Sequence, residues 1–189
     1  MLLGMLLLGV GTVQAQDIRP YAGMGLGAFG LELKNAGING YNQKNTVFGG
    51  YLRLGADVND YFGAEFRVGT TGSGTTNYPN GSIKLDAGYL ISYLAKVQYP
   101  FTPDFRLYGM LGATTAKLNV SVSVINPGTL SAADSATKTG FSYGVGGEFM
   151  LDNNLSLGAE WMQYWTDVDL GVGFTGRLWS AVGTLNYAF

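Results

Sequence analysis

Cysteine and histidine are absent from the 189 residues. Without cysteine there is no disulfide scaffold and no thiolate metal site. Without histidine the commonest general base and the commonest transition-metal ligand are missing. Charged residues make up only 13 per cent, about half the usual ~25 per cent. Disordered chains are charge-rich and aromatic-poor, whereas this one has 10 Phe, 12 Tyr and 3 Trp. The 5 prolines leave no collagen-like period. A net charge of −2 with no basic run gives nucleic acid nothing to bind. No run after the first residues reaches 18 apolar positions without a charge or turn signal, so no spanning helix is expected.

What the chain has instead is glycine, 30 residues of it, more than twice the usual share of ~7 per cent. The first thirteen residues are uncharged and rich in Leu, Gly and Met, and Val13-Gln14-Ala15 follows as a cleavage-like site. We read residues 1–15 as an export signal that lacks its basic start. Residues 16–189 form one domain.

That domain divides into eight stretches with period-two alternation. In the second, Phe48, Gly50, Leu52, Leu54, Ala56 and Val58 alternate with Val47, Gly49, Tyr51, Arg53, Gly55 and Asp57. In the third, Phe62, Ala64, Phe66 and Val68 oppose Gly63, Glu65, Arg67 and Gly69. The fourth sets Leu85, Ala87, Tyr89, Ile91 and Tyr93 against Asp86, Gly88, Leu90, Ser92 and Lys96. Phe141, Tyr143, Val145 and Phe149 oppose Ser142, Gly144, Gly146 and Glu148 in the sixth, and Leu157, Ala159 and Trp161 oppose Gly158, Glu160 and Met162 in the seventh. The first and last are apolar on one face too. In the fifth, Leu107, Leu111 and Ala113 are assigned to the apolar face.

A soluble sandwich also alternates. Several stretches here exceed the ordinary strand length of ~5–6 residues. Their second face is Gly and isolated charge, which suits a narrow closed lumen more than a wetted surface. The expected fold is therefore all-β, an eight-stranded antiparallel up-and-down transmembrane β-barrel with its apolar face toward lipid. A soluble ligand-carrying barrel is disfavoured because its exterior would be polar.

Short connections at Asn59-Asp60, Pro100 to Asp104 and Asp152 to Asn154 alternate with long ones at 35–45, 70–82, 121–138 and 166–176, as at the two ends of an outer-membrane barrel. Tyr21, Tyr61, Tyr99, Tyr164, Trp165 and Trp179 are candidates for interfacial aromatic girdles. Arg53, Asp57, Glu65, Arg67, Asp86, Lys96, Glu148 and Glu160 fall on the lumen face as an expected ion-pair network. Glu148 and Glu160, on neighbouring strands, could instead be paired carboxylates with one pKa raised. Directly opposed residues of an antiparallel pair share a face. Avoidance of facing like charges then predicts Arg53 opposite Glu65, with Arg67 left for another acid such as Asp86.

Pro20 to Gly27, Asp60 to Arg67, the hairpin from Gly140 to Trp161 and the terminus Gly183 to Phe189 resemble the small eight-stranded outer-membrane barrels of the opacity-protein and outer membrane protein A/X-like kind. The resemblance implies a bacterial outer-membrane location and a lipid-embedded monomer. It also implies recognition of Leu185, Tyr187 and Phe189 by the barrel-assembly machinery. Glu65 and Glu160 sit where acidic lumen residues of outer membrane protein A would fall. Its basic partners on the fifth and eighth strands have no match, and Arg53, Arg67 and Lys96 stand in for them. Enzymes among barrels of this size rely on histidine, so no catalytic residue, cofactor or metal site is expected. Two roles remain: a structural or surface-interaction barrel whose four outer loops meet a ligand or host partner, or a narrow pore for water or small ions.

Overall fold

The computed structural model describes residues 18–35, 42–126, 128–171 and 173–189. The expected export signal lies outside them. Nine strands follow one another: β1 (Arg19–Asn35), β2 (Asn42–Asp57), β3 (Phe62–Thr71), β4 (Ser73–Tyr78), β5 (Gly81–Thr102), β6 (Phe105–Asn126), β7 (Gly128–Met150), β8 (Leu155–Gly171) and β9 (Phe174–Ala188). Consecutive strands pair antiparallel except β3 with β4, β1 pairs with β9, and β3 pairs with β5. The sheet thus closes into a ring of eight, with β4 continuing the line of β3 along β5. Closure pairs every strand of the ring with two others across the middle of the barrel, so the backbone groups there are satisfied without water.

The exterior carries the apolar face on every strand of the ring. Met24, Leu26, Leu52, Leu54, Phe62, Val97, Leu107, Leu111, Val145, Leu157 and Leu185 are exposed. Their alternates, Tyr51, Arg53, Glu65, Arg67, Lys96, Tyr108, Glu148 and Glu160, are buried in the lumen. The alternation runs hydrophobic outward and polar inward, the reverse of a soluble protein.

Three features depart from expectation. First, the described residues of the stretches read as loops at one end are mostly strand. The β6–β7 ladder continues to Asn126↔Gly128, and β4 forms inside the 70–82 connection. The Val-Ser alternation at 120–123 extends the strand instead of ending it. Second, β5 bulges between Ala87 and Tyr89, so facing parity inverts at Gly88. Leu85 and Ala87 turn inward. Asp86, taken for a lumen acid, lies on the opposite face from them and accepts a hydrogen bond from Asn119 Nδ2 at 2.8 Å. Third, Tyr21, Tyr164 and Trp165 are buried in the lumen, not in a girdle. Tyr61 and Tyr99 are exposed as expected of girdle residues.

The glycines explain how a narrow lumen holds so many rings. Tyr21, Tyr51 and Tyr108 stand directly across the ladder from Gly55, Gly25 and Gly146. A Cβ at any of those glycines would collide with the facing ring. Each tyrosine therefore lies flat over its partner and points its hydroxyl at the centre.

At the long-hairpin rim, Arg177 clasps Asp167 with Nε and Nη2 at 2.7 and 2.6 Å. These bonds hold the Asp167 carboxyl below the usual carboxylate range.

Candidate functional site

The β2–β3 turn sets the geometry of the lumen. Asn59 Oδ1 accepts from the backbone N–H groups of Tyr61 and Phe62, both at 2.8 Å. Val58 N–H reaches the Phe62 carbonyl at 2.8 Å. This centres the turn on Asp60 and pairs Asp57 with Gly63 and Arg53 with Arg67. The expected Arg53↔Glu65 register is corrected: Glu65 faces Gly55.

Two facing arginines persist because a third strand supplies the missing charge. Glu160, from β8 on the far wall, accepts from Arg67 Nη1 at 2.5 Å and Nη2 at 2.8 Å. Arg67 Nε bonds Glu65. Arg53 Nη1 lies 3.5 Å from both Glu65 Oε2 and Glu160 Oε2, and its Nε donates to Asn186 Oδ1 at 2.5 Å. Two guanidinium groups and two carboxylates thus form one neutral cluster. The three tyrosines complete it. Tyr21 donates to Glu65 at 2.7 Å, and Tyr51 and Tyr108 donate to Glu160 at 3.0 and 3.2 Å. The Arg67 guanidinium also stacks over the Tyr51 ring, 4.5 Å from its centroid.

A second tier lies toward the short turns. Lys96 Nζ is 2.7 Å from Asp57 and 4.4 Å from the Tyr21 ring centroid. Arg106 bridges Asp57 at 3.4 Å and Glu148 at 3.0 Å. Ser156 and Asn186 donate to the other Glu148 oxygen at 3.1 and 3.0 Å. Glu148 and Glu160 are therefore not a carboxylate pair, since each sits on its own guanidinium. Arg106 was missed in the sequence although it shares parity with Tyr108 and Met110. It supplies the basic group on the fifth strand of the ring that had seemed absent. Below this tier a cavity of about 330 Å³ opens at the short-turn end, lined in part by Arg19, Asp57, Lys96, Arg106 and Glu148.

The lumen above the central cluster is filled. Ser92, Thr114 and Ser142 form a buried hydroxyl chain with spacings of 2.7 and 2.8 Å. Phe29, Leu31, Leu90, Met110, Met162, Tyr164, Trp165 and Leu178 are almost wholly buried around and above it. Among the described residues, no group of three acidic side chains gathers as metal ligands.

A closed ring with an apolar exterior and an ion-paired interior is the build of an outer-membrane barrel. The family model for the outer membrane protein beta-barrel domain matches residues 2–184. The chain belongs to that family. It is a bacterial outer-membrane protein. Solved structures with the same fold include Ail, the attachment invasion locus protein of Yersinia pestis. Ail is 20% identical with a TM-score of 0.56, covering 89% of this chain and 98% of that one. Neisserial surface protein A is 14% identical with a TM-score of 0.58, covering 90% and 97%. OprG from Pseudomonas aeruginosa is 14% identical with a TM-score of 0.56, covering 89% and 95%. No curated protein matches the chain.

Leu185, Tyr187 and Phe189 lie exposed along the outer face of the final strand. Tyr187 and Phe189 pack edge to face, with centroids 5.4 Å apart.

Proposed function

We propose that this chain is a closed outer-membrane anchor whose long hairpins form its working surface. The filled lumen carries the reading, because side chains from every strand of the ring occupy the space a pore would need. The ion-pair network of Arg53, Asp57, Glu65, Arg67, Lys96, Arg106, Glu148 and Glu160 serves in this reading to fix register and fill the interior. The short turns face the periplasm and the long hairpins the exterior, as is usual for such barrels. The β6–β7 hairpin, the longest, carries Ser, Thr and Ala with one acid and one base between residues 131 and 140. That composition suits a hydrogen-bonding partner and gives a strongly charged one little to hold.

Replacing Val120–Asp134 with an Asn-Gly turn would shorten this hairpin while keeping its ladder below Asn119↔Ser135. The shortened barrel is expected to reach the outer membrane and to run faster unboiled than boiled on a denaturing gel. Cells displaying it should adhere to host-cell monolayers no better than cells lacking the protein, whereas the full chain should adhere above that level. Equal adhesion by full and shortened chains would remove the hairpin from the proposed function.

The same reading assigns Leu185, Tyr187 and Phe189 to recognition by the barrel-assembly machinery. Phe189→Ala should reduce insertion in cells by a larger factor than refolding of the purified chain into lipid vesicles. Equal losses in the two settings would mean that Phe189 only packs against lipid.

A further inference from the structure

The floor of the short-turn cavity holds more donors than its own acids can use. Asp57, Lys96 and Glu148 are each 5% exposed, so these groups meet one another and not bulk water. Every carboxylate oxygen there already faces a donor. Asp57 Oδ1 lies 2.7 Å from Lys96 Nζ, and Oδ2 lies 3.4 Å from Arg106 Nη1. Glu148 Oε1 lies 3.0 Å from Arg106 Nη2, and Oε2 accepts from Ser156 and Asn186. The donors are not used up in the same way. Lysine carries three N–H groups and arginine five. Lys96 Nζ has Asp57 as its one ion partner among the described residues, and Arg106 Nε is buried without an acceptor. Arg19 stands at the mouth with its Nη2 on Asp60.

The cavity of about 330 Å³ that these groups line also has an apolar part to its wall, made by Pro100, Pro103, Met150 and Ala188. Residues of β1, β2, β5, β6, β7, β8 and β9 contribute to it, so it is the inside of the ring and not a crease on its surface. A cation entering it finds no carboxylate oxygen without a donor at the floor. An anion finds unspent N–H groups. Lys96 and Arg106 are balanced by Asp57 and Glu148, so the floor is neutral before anything binds. One negative charge is then easier to seat there than the nearly two of a phosphate monoester.

We propose that this cavity binds a small monocarboxylate, such as an acylated amino acid or the C-terminal residue of a short peptide. Its carboxylate lies on Lys96 and Arg106, and its body lies against Met150 and Ala188. Hydrogen bonds between charged groups are the strong ones, and the floor offers them to an acceptor of the opposite sign. The ligand enters and leaves by one mouth, because the Arg53, Glu65, Arg67 and Glu160 cluster closes the other side. The site is therefore compatible with a closed anchor and independent of whatever the hairpin tips contact. With the short turns toward the periplasm, that compartment supplies the ligand.

The test is a titration of the full barrel in phospholipid nanodiscs with acetyl-alanine, followed by the Arg106 Nε–H and Met150 methyl resonances. Saturable shifts are expected at both. Acetyl-alanine amide has the same body without the charge and should bind at least about tenfold more weakly, the difference between a charged and a neutral acceptor. The shifts should vanish in Ala188→Trp, which puts an indole into the cavity. Should that variant lose its heat-modifiable gel migration, Thr102→Trp takes its place. Equal affinity for the acid and its amide would overturn the proposal, as would saturable shifts that survive the filled cavity. Inorganic phosphate binding as tightly as acetyl-alanine would make the cavity a general anion trap and would overturn the carboxylate assignment. Absence of any saturable shift would mean that water satisfies the spare donors, and would overturn it as well.

Discussion

Glu160→Ala is expected to destabilise the barrel by about 3–5 kcal/mol, the range for removing one partner of a buried ion pair. The Glu160 carboxylate is met by both terminal nitrogens of Arg67, by Arg53 and by two tyrosine hydroxyls. Without it, two buried guanidinium groups share only Glu65, and neither can reach water. Arg67→Met combined with Glu160→Leu removes one charge of each sign and leaves the Arg53–Glu65 pair neutral. That double variant should be more stable than Glu160→Ala alone. Denaturant unfolding in detergent micelles, read by the mobility of unboiled protein on a gel, measures both. A double variant losing as much as its two single variants together would show that the charges are not coupled.

Period-two alternation made the barrel legible because the side-chain period of a strand is fixed and a membrane wall demands one apolar face. Where the strands stay regular, the residues that this alternation turns inward are the buried ones. It misplaced Asp86 because the bulge at Gly88 inserts a residue without a recognisable signal, and parity cannot survive an insertion. The register of β2 and β3 was misjudged for a different reason. The rule weighed only the two facing strands, whereas the charge that relieves Arg53 and Arg67 arrives on Glu160 from across the lumen. A barrel interior is shared by every strand of the ring, so pairwise sequence rules leave out most of its contacts. Tyr21 was readable. It shares parity with Gly23 and Gly25, and its assignment to a girdle rested on position near a strand end alone. Arg106 was readable by the same parity. The matching of Tyr21, Tyr51 and Tyr108 to facing glycines was not, because it exists only once the register is known.

The second large effect concerns conduction. An ion entering from the short-turn end would meet Lys96, Arg106, Asp57 and Glu148 and then the Arg53–Arg67–Glu65–Glu160 cluster. Beyond them it would face Met162, Tyr164, Trp165 and Leu178, which are fully buried against one another and their neighbours. Burying an unpaired charge among such groups is prohibitive, and no thermal rearrangement of one side chain clears all three levels. Refolded chain inserted into a planar lipid bilayer tests this filled lumen most directly. The expected current trace is indistinguishable from that of the protein-free membrane, and steady, reproducible unitary openings would contradict a filled lumen.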